Sequence, residues 1–94
     1  MSKTEFFSVC RYVAYREFNG EFLIFSGFTR DTLIVHPYAF KIVQFVEKKS
    51  RSFQDILNFI HEIDYELSPD ESSLFVSKTL EQLIDHGVLY FMEK

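Results

Sequence analysis

The apolar positions of this 94-residue chain follow two periods, and the change falls at Pro37. Before it, residues from about Val9 to Phe18 alternate, with Tyr12, Ala14, Arg16 and Phe18 on one side and Val13, Tyr15 and Glu17 on the other, the two-residue period of a strand. Asn19-Gly20 supplies a type I′ hairpin turn, whose two central residues both need positive φ. Phe22–Phe25 is then the return strand, Ser26–Asp31 a polar connection and Thr32–His36 a third strand.

After Pro37 the apolar residues recur at helical spacing. Proline suits the first turn of a helix, where its missing N–H costs nothing. Ala39, Ile42, Val43 and Val46 form an inward stripe that Phe40 and Phe45 widen, and Lys48-Lys49 falls where cations favour a helix C-terminus. Ser52 is the expected N-cap of a second helix carrying Phe53, Ile56, Leu57, Ile60 and Ile63. Ser68-Pro69-Asp70-Glu71 opens a third with a cap, a first-position proline and a glutamate that closes a capping box. Val76, Leu80, Leu83 and Ile84 form its stripe, Gly87 is its left-handed stop, and Val88–Phe91 follows as a short strand or packed tail.

The order predicts an α+β fold, winged helix-turn-helix-like: three N-terminal strands, three helices and a short apolar C-terminal segment, with the third helix where a DNA-binding relative carries its recognition helix. Ninety-four residues make one domain over residues 1–94, since no second core fits. Twelve phenylalanines and five tyrosines exceed what such a core demands. Phe6, Phe7, Phe18, Phe22 and Phe25 are expected to fill the core or a homodimer interface, or to border an exposed apolar groove. The lone Cys10 excludes an internal disulfide framework and fits a reducing compartment. With no signal-peptide pattern and no long apolar run, the expectation is a cytoplasmic chain off the membrane.

Residues for catalysis are not assembled. His36, His61 and His86 are scattered, and their carboxylate neighbours point elsewhere on a helix, so no metal site or other cofactor is expected. Cys10 has no visible base and reads as a packed thiol. Glu62, Asp64, Glu66, Asp70 and Glu71 surround one connection as a solvated face, and no glycine-rich phosphate loop exists. The expectation is therefore no enzyme. Nucleic acid is disfavoured too. Lys41, Lys48, Lys49 and Arg51 cluster at the first helix, but the third carries Asp70, Glu71, Glu81 and Asp85 against Lys78, in a chain of formal net charge −4. Phosphates would be repelled.

The run from Tyr15 to Phe40 resembles the start of the PqqD-like family: an aromatic-rich hairpin, a glycine (Gly27) ahead of an Asp-Thr-led apolar strand (Asp31–Val35), then a proline-led helix. Leu83–Leu89 is similar to the family's ending, a leucine-rich helix closing on a glycine turn. The resemblance spans roughly residues 10–91 and lies nearest the PqqD-like peptide chaperones found beside a kinase related to the HPr kinase. It implies a non-catalytic module that recognises the leader of a ribosomally made precursor peptide and presents it to a maturation enzyme or HPr-kinase-related protein. It further implies that the leader adds as a strand beside Thr32, Leu33, Ile34, Val35 and His36, against Phe75, Val76, Thr79, Leu80 and Leu83 of the third helix. An unpaired strand edge suits that role, because its free N–H and C=O groups are satisfied by an extended peptide. Two other readings stand beside it: a structural or regulatory subunit that docks on such an enzyme without gripping a leader, and a winged-helix DNA-binding regulator. A homodimer through the same edge would compete with the leader.

Overall fold

A computed structural model describes residues 5–93. It is an α+β fold of six strands in two antiparallel sheets with three helices. Strand β1 (Glu5–Val9) is central in one sheet, between β5 (Arg51–Ser52) and β6 (Leu89–Glu93). The other is a meander of β2 (Val13–Phe18), β3 (Glu21–Ser26) and β4 (Thr32–Val35). Helices α1 (Pro37–Lys48), α2 (Phe53–Ile63) and α3 (Pro69–Asp85) complete the chain.

Of the strand expected from Val9 to Phe18 only Val13–Phe18 is one strand; Val9 ends a separate strand, β1, in the other sheet, so four strands precede α1 rather than three. The break is a turn at residues 10–12. Cys10 N–H donates to the Val88 carbonyl at 2.9 Å, and Tyr12 takes a left-handed φ of 62° that redirects the chain. Gly27 N–H closes the turn on the Tyr12 carbonyl at 2.9 Å. A Cβ at Gly27 would stand 2.4 Å from that of Tyr12, so only glycine fits. Beyond the break the expected alternation holds, with Val13 and Tyr15 turned inward and Ala14, Arg16 and Phe18 exposed. The hairpin holds as well: Asn19 and Gly20 have φ of 53° and 78° and join β2 to β3 in register Phe18↔Glu21.

The helix boundaries follow their caps. Ser52 and Ser68 each accept an N–H three residues on, while Asp55 and Glu71 reach back to the cap's own N–H. At the end of α3, Gly87 takes φ 72°, with Val88 N–H donating to the Leu83 carbonyl and Gly87 N–H to that of Ile84. That is the Schellman arrangement. It throws Val88 and Leu89 back into the core, where β6 pairs with β1 along its whole length.

Phe7, Ile24, Ile42, Val43, Val46, Ile56, Ile60, Val76, Leu80, Leu83, Val88 and Leu89 are sealed from solvent in one cluster. Each such side chain contributes about 1.5–3 kcal/mol of burial free energy. Phe7 is thereby a core residue, and among the described residues no helix is long and apolar enough to cross a membrane.

Two measurements check this account. Gly20→Ala should cost about 1–2 kcal/mol in urea unfolding, the penalty for a left-handed Cβ in open space. Gly87→Ala should cost clearly more, because its Cβ would stand 2.9 Å from Ser26 Oγ. The Ser68 N–H donating to Glu71 holds that carboxyl below the usual glutamate range. A depressed acid stabilises the fold above its unfolded pKa and loses that effect as pH falls through its folded pKa. Glu71→Gln should therefore lower the melting temperature at neutral pH, with the gap from wild type closing on acidification below the glutamate range.

Candidate functional site

Strand β4 is bonded only to β3, so its other edge is open among the described residues. The register pairs Phe22↔Val35, Leu23↔Ile34, Ile24↔Leu33 and Phe25↔Thr32. Ser26 N–H donates to the Asp31 carbonyl at 2.9 Å while its own carbonyl accepts the Arg30 N–H, so the ladder opens with the Asp31 carbonyl turned toward β3. Hydrogen-bonded and non-bonded pairs alternate along antiparallel strands. Leu33 and Val35 therefore spend their backbone groups on β3, while Thr32 and Ile34 turn theirs to the open edge. Side chains divide the same way: Leu33 and Val35 are half-buried, Thr32 and Ile34 exposed, and Ile34 retains 65% of its surface.

Strand and helix run side by side in opposite directions, fastened at both ends. Before β4, Ser26 and Thr29 hydroxyls donate to the Gly87 and His86 carbonyls, each at 3.1 Å, and Asp31 Oδ2 lies 3.4 Å from His86 Nδ1. After β4, the His36 ring meets the Phe75 ring at a centroid distance of 5.4 Å. Between these fastenings the helix from Phe75 to His86 and the extended chain from Asp31 to His36 each cover about 16 Å, so the two stretches match in length although α3 itself is longer.

His36 caps α1: its Nδ1 accepts the Tyr38 N–H at 3.0 Å, an arrangement that leaves Nε2 as the ring's other polar atom. Tyr38 stacks edge-on against both His36 and Phe75 and donates its hydroxyl to Asp64 Oδ2 at 2.9 Å. That bond holds the Tyr38 hydroxyl above its usual pKa. Together with Leu67, these residues line an apolar hollow of about 260 Å³ at the end of the open edge. A second hollow of about 340 Å³ lies on the outer face of the sheet, bordered by Ala14, Leu23, Phe25 and Thr32. An added strand would send alternate side chains over that face and toward α3.

Of the ten residues expected to grip a peptide, the structure joins His36 with Phe75 and sets Thr32 and Ile34 on the edge. Leu33 and Val35 support it from beneath. Val76, Leu80 and Leu83 are fully buried and Thr79 is 7% exposed, so these four belong to the core and offer no surface to a ligand. Val76, Leu80 and Leu83 lie on the inward stripe of α3 that their spacing predicts; only the resemblance implied that they face a ligand. Tyr38, Asp64 and Leu67 were not anticipated. Their nearest signal is the aromatic beside Pro37, half-buried in the first turn of α1.

The strand β6 presents another apolar edge, with Tyr90, Phe91 and Met92 about half exposed, but among the described residues no ring cluster closes its end. Among the described residues no group of His, Cys, Asp and Glu is placed to hold a metal ion. Burial pushes the Cys10 thiol above its usual pKa, which disfavours the nucleophilic thiolate.

Leu80→Ala should cost about 2–5 kcal/mol in unfolding, and a charge at that position should abolish the fold. Phe75→Ala, at a half-buried position, should keep the wild-type circular dichroism spectrum. Comparable losses in both would mean that Phe75 belongs to the core.

Comparison with known proteins gives no match, whether to a family model, a curated protein or a solved structure.

Proposed function

We propose that this chain is a non-catalytic peptide-binding module of the PqqD-like kind, with its α+β fold arranged as a winged helix. It takes up the leader of a ribosomally made precursor as an added strand on β4 and presents it to a maturation enzyme or HPr-kinase-related protein. The observation that carries the reading is the open β4 edge, with the backbone of Thr32 and Ile34 turned outward and an aromatic hollow at its end. Strand addition supplies affinity through the main chain and specificity through alternate side chains. The edge has both parts: two residues with free backbone groups, and apolar surface on either side of the strand.

Such an edge is an aggregation hazard unless protected by charge, proline or a bulge. Strand β2, the opposite edge of the same sheet, carries Arg16 and Glu17; β4 reads Thr-Leu-Ile-Val, with charge only outside it at Asp31. An edge left bare of such protection suits a transient strand partner. Ordering a flexible leader costs about 2–5 kcal/mol of the gross interaction energy. The His36, Tyr38 and Phe75 rings are suited to recover part of it, because aromatic contacts add to area burial.

Hydrogen exchange on the chain with and without the N-terminal segment of a precursor encoded beside it tests the reading. Slowed exchange is expected at Thr32 and Ile34, with little change at Leu33 and Val35, whose amides β3 already holds. Protection at β6 instead, or none at saturating peptide, would refute it. Phe75→Ala and Ile34→Asp should each weaken binding by about tenfold or more, the equivalent of ~1.4 kcal/mol.

A further inference from the structure

A separate surface lies between α1 and α2. Lys41, Gln44 and Lys48 occupy the exposed stripe of α1 and, with Phe45, Phe59 and Ile63, line a hollow of about 300 Å³. Phe45 and Phe59 stack almost parallel, with centroids 4.3 Å apart and planes 6° from each other. The Arg51 guanidinium carbon stands 3.9 Å from the Phe45 centroid. Two groups so close to one ring centre must take opposite faces, so Phe45 is sandwiched and held rigid. The Arg51 Nε–H also donates to the Phe45 carbonyl at 3.4 Å, which commits that cation to the fold.

The lysines are not committed. The one contact of ion-pair geometry between described residues is Asp31 with His86, so Lys41 and Lys48 have no carboxylate in ion-pair contact among them and stand beside an apolar floor. They do so in a chain whose net charge is −4. On the other side of the stacked rings, Asp55 and Glu62 border a second hollow. The aromatic pair thus divides a basic hollow from an acidic one. A ligand that is acidic along its whole length, such as a nucleic-acid strand, would meet Asp55 and Glu62 as it crossed the rings. A short segment with carboxylates flanking an apolar side chain would not.

We propose that this hollow docks an acidic, amphipathic segment of a partner protein, with an apolar side chain on Phe45, Phe59 and Ile63 and carboxylates on Lys41 and Lys48. Charge complementarity selects that occupant. The hollow shares no residue with the β4 edge, so the two surfaces can be occupied together, and neither inference depends on the other.

The test titrates the isotope-labelled full chain with a short synthetic peptide of alternating aspartate and leucine, with its asparagine counterpart, and with a single-stranded oligonucleotide. The aspartate peptide should give saturable NMR shifts confined to residues 41–48 and 59–63. Binding should weaken about tenfold in the Lys41→Glu, Lys48→Glu double variant. It should disappear at roughly 1 M NaCl, where the Debye length is about 3 Å. Both lysines are exposed, so the variant should melt as wild type does; if it does not, Lys41→Gln with Lys48→Gln must weaken binding in the same direction. Absence of shifts, equal binding of the asparagine peptide, shifts centred on residues 32–36, or tighter binding of the oligonucleotide would each overturn the proposal. Such a failure leaves the leader reading intact, because that is read at the Thr32 and Ile34 amides.

Discussion

Three parts of the chain converge on the turn at Gly87. The positive φ there ends α3 and sends Val88 and Leu89 back into the core. From that point β6 runs along β1, so the first sheet depends on the turn. The carbonyls exposed as the helix ends are taken by Ser26 and Thr29, so the loop between β3 and β4 depends on it too. The last carbonyls of the helix are met by N–H groups of the turn itself. Those of His86 and Gly87, just past the helix, are met by Thr29 and Ser26, so one helix terminus joins both sheets to the core.

That junction explains why β4 lies where it does. Its start is fixed by the clasp at His86 and Gly87, and its end by His36, which caps α1 and meets Phe75. Between those points the strand has α3 alongside and, among the described residues, no strand beyond it. The side chains of α3 that face the interior are spent on stability, so a ligand on this edge has to be recognised by the strand backbone and by what stands at its ends. Tyr38, Asp64 and Leu67 line the hollow at the end of the edge together with Phe75 of the helix, so the proposed site is wider than a simple strand–helix groove.

The aromatic surplus resolves into distinct uses. Phe7 and Phe40 are core; Tyr15 and Phe22 pack on Phe40 from the inner face of the second sheet. Phe45 and Phe59 form a stacked pair between two helices, backed by Arg51. Phe18, Phe25 and Phe28 stay substantially exposed. Abundance of phenylalanine is therefore one compositional fact with several structural causes, and only the surroundings of each ring separate them.

What the chain determines locally was legible in its residues. The Asn19-Gly20 hairpin, the serine caps with their returning carboxylates, Pro37 and Pro69 at first helical positions and the stop at Gly87 each act within a few residues, through dihedral preference or a short-range hydrogen bond. The inward stripes of the helices were legible for the same reason, since periodicity alone sorts buried from exposed. Tertiary structure decided the rest. The break at Tyr12 needed Val88 and Gly27 as distant partners, and no local signal marks it. The two-residue strand β5 exists only because β1 lies beside it. The assignment of Val76, Leu80 and Leu83 to a ligand rather than to the core could not be made from spacing, because a helical stripe has the same period whether a sheet or a peptide covers it. Which strand edge stays open, and which rings gather at its end, is fixed by contacts between residues far apart in the chain, and those form only when the whole core closes.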